Sequence, residues 1–134
     1  MMATVSNQLR NDSRGAVAVE MALTLPIIIT LMIGILQFAL ILQAGGALRH
    51  GIGEGLRMAK VNPAVTEAQI RDEVRANLRG IDSRNIQGID FVTGTTNGAN
   101  WGRVDVVYQL QPIIPFAPLP SFQLNESRTV YLPS

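Results

Sequence analysis

The chain has 134 residues, 47% of them hydrophobic and 16% charged, with 11 basic and 10 acidic side chains and no cysteine. That length holds one modest domain plus one membrane element and excludes a multi-domain enzyme. Near-balanced charge without a basic cluster argues against a nucleic-acid partner, and the lack of cysteine excludes disulfides and thiolate metal sites.

Residues 21–48 carry no charge. As a helix these 28 residues extend about 42 Å, against a hydrocarbon core of about 30 Å, so the run spans a bilayer and projects beyond it. A secretory signal needs an apolar region of only about 7 to 15 residues, which favours a retained anchor, although Ala44-Gly45-Gly46-Ala47 has the small residues of a processing site. The short leader, with Arg10 and Arg14, is most easily left in the cytoplasm, placing the C-terminal bulk outside; Arg49, Arg57 and Lys60 on the far side weaken that asymmetry. Pro26 removes a backbone donor and, with Gly34 two turns later, marks the place where the helix is expected to bend or stretch. Gln37, the one strongly polar side chain in the span, is either an interhelical hydrogen-bonding group or a tolerated bystander.

The helical pattern continues past the apolar run, because Leu48, Ile52 and Leu56 recur every fourth residue, and it predicts one helix to about Lys60. On an adjacent face Ala47, Gly51, Gly55 and Ala59 form a stripe of small residues, which either admits a close neighbour or marks a frayed juncture. Asn62-Pro63 ends the helix, and Thr66 with Gln69 reads as a capping box that starts another, with Ile70, Val74, Leu78 and Ile81 on one face and Gly80 as a stop. Asp72 and Glu73 point about 100° apart on that helix and read as solvated partners of Arg75 and Arg79 rather than a metal or acid-base pair.

Beyond Ser83 the period changes to two. Ile89 to Val92 predicts a strand, GTTNGANWG a turn-rich loop, and Val104, Val106, Tyr108 and Leu110 a second, antiparallel strand. Trp101 falls in that loop, either as an exposed contact or, the favoured reading, as a lid over the sheet. QPIIPFAPLPS cannot be a central strand and reads as an extended connection along the sheet edge, leaving residues 122–131 for a last strand. The 74 residues after Lys60 are marginal for a core of their own, so the outer half of the long helix is expected to complete it. The fold expected is α+β: residues 1–15 a leader, 16–60 a transmembrane and spine helix, and 61–134 a small head of one short helix and a roughly three-stranded antiparallel sheet.

Glu20 stands at the lip of the apolar run. It reads in one way as an interfacial acid favoured by the helix dipole by about 0.3 to 1 kcal/mol. In the other, cleavage between Gly15 and Ala16 would create an α-amino group that pairs with Glu20 of a neighbouring subunit, since a buried carboxylate needs a partner. Arg14-Gly15-Ala16-Val17-Ala18-Val19-Glu20 followed by an apolar helix resembles the processing signal of type IV prepilins and pseudopilins. With Pro26 and the later element Glu54-Gly55-Leu56-Arg57, the chain is similar to the TadE-like minor pseudopilins of Tad (tight adherence) pili, and the proline-linked final strands resemble theirs more loosely. Met21 stands where such sequences commonly carry an aromatic residue, and the head is longer than that of a major pilin, both of which point to a minor subunit.

The resemblance implies a pilin-like structural protein of the bacterial inner membrane with its head in the periplasm, or extracellular once assembled. It implies cutting after Gly15 by prepilin peptidase, alignment through Glu20, and assembly into or at the tip of a pilus that supports adhesion. The implied partners are that peptidase, other pilins and minor pseudopilins, the inner-membrane assembly platform and the lipid bilayer. An uncleaved single-pass anchor displaying a small periplasmic binding module is the alternative, and a secreted soluble module with its mature N-terminus near Ala47 comes third. Loss of Arg10, Arg14 and Asp12 with the leader would leave nine side chains of each sign. No catalysis and no cofactor are expected: His50 is the single histidine, and GIGEG at residues 51–55 lacks the preceding strand and following Lys-Ser or Lys-Thr of a phosphate loop.

Overall fold

The computed structural model describes residues 13–113 and 120–133. Residues 1–12 of the leader and the centre of the proline-rich connection lie outside the described residues. One uninterrupted helix, α1 (Ser13–Val61), runs through Pro26 and Gly34 and extends about 74 Å at 1.5 Å per residue. It ends where Asn62-Pro63 forbids continuation: Asn62 Oδ1 accepts from the Ala64 amide and the Asn62 carbonyl from Val65, turning the chain back.

The second helix, α2 (Glu67–Asn77), begins with the expected capping box, in which the Gln69 amide donates to Thr66 Oγ1 and the Thr66 amide to Gln69 Oε1. Such a cap contributes about 0.5–2 kcal/mol. Ile70 and Val74 are buried against α1, and the segment stops with Gly80 at φ +81°. Among the described residues Glu73 has no arginine partner; it is half-buried and accepts from Asn77 Nδ2 at 2.9 Å.

A 3-10 turn (Ser83–Asn85) leads into an antiparallel sheet of order β1-β2-β3, formed by β1 (Ile86–Thr96), β2 (Ala99–Leu110) and β3 (Phe122–Tyr131). The first hairpin differs from the sequence expectation. The stretch read as a long loop is strand on both sides of a two-residue turn at Asn97-Gly98, where φ is +52° and +79°. Asn-Gly accepts this left-handed backbone at little cost, and the mirror-image turn it forms matches the right-handed twist of the flanking strands. Trp101 therefore lies in β2 rather than in a loop, paired with Gly94 on one side and Tyr131 on the other.

Along β2, Val104, Val106, Tyr108 and Leu110 alternate inward and are buried against α1. The core closes between them and Ala44, Leu48, Ile52, Leu56 and Ala59 of α1, with Ile70, Val74 and Leu78 from the α2 segment and Ile89 from β1. Five of those side chains come from the long helix, so head and spine share one core.

Candidate functional site

The fold divides α1 into two halves with different surroundings. From residue 15 to residue 36 nearly every position is exposed, including Val17, Val19, Leu23, Ile27, Leu31 and Ile35. The first buried residue is Gln37, and from there to Ala59 one side of the helix is covered by the head. The bare half is 22 residues, about 33 Å, which matches a hydrocarbon core of about 30 Å more closely than the whole uncharged run does. Its length and hydropathy suit a membrane span.

Gly15 and Ala16 lie in the first turn of α1, and a β-carbon at Gly15 would meet nothing within 4 Å. Glycine within a helix costs about 1 kcal/mol relative to alanine, and nothing in the chain's own packing asks for it at that position. Glu20 is exposed seven residues beyond the start of α1, too far along for the dipole reading, because that effect fades within the first turn. Its carbonyl accepts a second bond from Thr24 Oγ1 at 2.7 Å, while its carboxylate has no partner among the described residues.

Pro26 leaves the Ala22 carbonyl without its helical donor. The surrounding surface is a shallow apolar groove lined by Pro26, Ile27, Leu31, Gly34, Ile35 and Phe38. A β-carbon at Gly34 would meet nothing within 4 Å, so its missing side chain serves no contact among the described residues.

The covered half answers the question of the small-residue stripe. A β-carbon on Gly51 would come within 2.6 Å of Leu78 Cδ2, and one on Gly55 within 2.4 Å of Val74 Cγ2. Glycine at these two positions lets the α2 segment lie directly on α1; Ala59 is buried nearby and Ala47 is half-buried. The element Glu54-Gly55-Leu56-Arg57 belongs to the same seam. Leu56 is in the core, Gly55 lies under Val74, and Glu54 pairs with Arg57 at 3.0 Å. The glycines of GIGEG are helical, and Gly51 and Gly55 are packed under α2.

Gln37 is not idle. Its Oε1 accepts from the backbone amide of Ile113 at 3.1 Å, tying the segment after β2 to the helix where the bare half ends, and its Nε2 is buried without a partner among the described residues. Two further ties hold the head upright: Gln43 Nε2 donates to the Gly80 carbonyl at 2.9 Å, and Arg49 pairs with Glu126 of β3 at 3.0 Å. Trp101 is half-buried, its indole lying over Gly94 and its Nε1 donating to Thr96 Oγ1 at 3.0 Å. No cluster of three metal-ligating side chains occurs among the described residues.

Residues 15–57, the bare half together with the seam that carries the head, match the family model described as TadE-like protein. The N-terminal part of this chain is similar to TadE-like proteins. The TadE-like segment ends at Arg57 and is about a third of the chain, so α2 and the sheet lie outside it. No curated protein and no solved structure matches the chain. A segment similar to TadE-like proteins, with a helix long and apolar enough to cross a membrane, fits a Tad pilus-related, membrane-anchored protein.

Proposed function

We propose that the chain is a minor pseudopilin, a structural subunit cut by prepilin peptidase between Gly15 and Ala16. It is inserted in the bacterial inner membrane with its head in the periplasm, and it is assembled through α1 into or at the tip of a Tad-type pilus. The observation that carries this reading is the bare apolar half of α1, which holds Gly15, Glu20 and Gly34, none of them used in packing among the described residues. In a bundle of such helices the new amine of Ala16 neutralises the Glu20 carboxylate of a neighbour and sets the register, because an unpaired charge there costs several kcal/mol, on the order of a buried ion. The protein acts as substrate of the peptidase and partner of other pilins, without a catalytic site of its own.

Intact mass of the protein extracted from its native membrane, with and without the peptidase, tests the reading. Peptidase-dependent loss of residues 1–15 supports it. The full-length mass in both strains leaves an uncleaved anchor and removes the role given to Glu20.

A further inference from the structure

We propose that the lower end of the head is seated in the bilayer interface through Ile113 and Phe122, so that the head rests on the membrane rather than standing clear of it. The inference builds on the spanning role of residues 15–36 and adds a second membrane contact. If the bare half fills the hydrocarbon, Gln37 lies at the boundary on the head side, because 22 residues rise about 33 Å. The hydrogen bond from the Ile113 amide to Gln37 Oε1 then holds Ile113 at that same depth. Its side chain is 71% exposed. Phe122 opens β3 opposite Leu110, three residues before Ile113, and is 46% exposed.

Ile113 thus stands bare at the level where headgroups begin, and Phe122 lies opposite Leu110, which is within about 10 Å of chain of Ile113, positions in which burial in the interface removes both from water. Their neighbours suit that depth, since Gln111 and Ser121 are polar and uncharged, with Ser121 Oγ accepting from Gln109 Nε2. Charge contributes little there. Arg84 is held by Asp82 at 2.6 Å, and Arg79 adds a single positive charge beside Gly80. The contact is therefore apolar and insensitive to salt.

Depth-dependent quenching of tryptophan in the full chain, reconstituted in phosphatidylethanolamine–phosphatidylglycerol vesicles, tests it. In a Trp101→Phe background, Ile113→Trp and Phe122→Trp report on the base and Leu31→Trp on the span, while the unaltered chain reports on the far end through Trp101. The reporters at 113 and 122 are expected to emit blue-shifted in the vesicles and to be quenched by lipids brominated near the glycerol end of their chains at low and high salt, the one at 31 to be quenched by lipids brominated near the chain ends, and Trp101 to be affected by neither. If the reporters at 113 and 122 both emit as in water while the one at 31 is quenched, the seat is overturned and the span stands. Quenching lost at high salt overturns the apolar contact, and an unquenched reporter at 31 overturns both seat and span.

Discussion

Single glycines separate what the chain needs for itself from what it keeps for others. Gly55→Ala gains about 1 kcal/mol of helix propensity but drives a methyl into Val74, an overpacking cost of about 1–3 kcal/mol, so the expected result is a lower melting temperature. Gly46→Ala meets nothing within 4 Å and should raise stability by up to about 1 kcal/mol; thermal unfolding in detergent distinguishes the two. Glu20→Gln should leave melting unchanged, because the carboxylate has no partner among the described residues, while under the proposed assembly cross-linking to neighbouring subunits falls. Gly15 and Glu20 stand out in the sequence by local spacing alone, and among the described residues neither makes a side-chain contact that would account for it. The stripe at residues 51 and 55 was legible as a need for close approach, but not as a contact with α2, since Val74 is separated from Gly55 by a turn whose direction no local pattern encodes. Asp82, whose carboxyl is held below the usual carboxylate range by hydrogen bonds from Arg84, stabilises its turn above the unfolded pKa and loses that contribution as pH falls through the folded value. Asp82→Asn should therefore lower the melting temperature slightly near neutral pH, by an amount that shrinks as pH falls through the folded value.

Among the elements, the capping box, the end of α1 at Asn62-Pro63 and the last strand were readable from a few adjacent residues, and each forms as the chemistry requires. The first hairpin was misread because Gly, Thr and Asn over nine positions resemble a loop in composition. The single pair Asn97-Gly98 supplies both left-handed residues, and Gly94 is a strand residue left bare so that Trp101 can lie over it. In α1 the informative element is the turn around Pro26. A proline inside a helix costs about 3 kcal/mol, and here it frees the Ala22 carbonyl in a segment that no part of the head covers. Pro26→Ala should slow amide exchange from residue 22 to residue 30 in micelles without altering exchange in the sheet. Equal exchange in both proteins would mean that the proline does not loosen the helix.

At the scale of the molecule, head and spine are one cooperative unit, because α1 contributes Ala44, Leu48, Ile52, Leu56 and Ala59 to the core. A fragment beginning at Gln37 should unfold in a single cooperative transition, whereas one beginning at Asn62 should lack a transition by circular dichroism, having lost the apolar wall on which the sheet packs. That dependence was visible in the small size of the head. The tie from Gln37 to Ile113 was not, since the two are 76 positions apart and a lone glutamine in an apolar run has no sequence pattern that names its partner. The shared core also makes the protein a lever. The head cannot swivel on its stalk, and the hairpin end lies beside Ala59 and Pro63, 33 residues or about 50 Å beyond the turn at Pro26. A change of about 20° in direction at that pivot, the average inclination of membrane helices, swings the hairpin end sideways by about 17 Å.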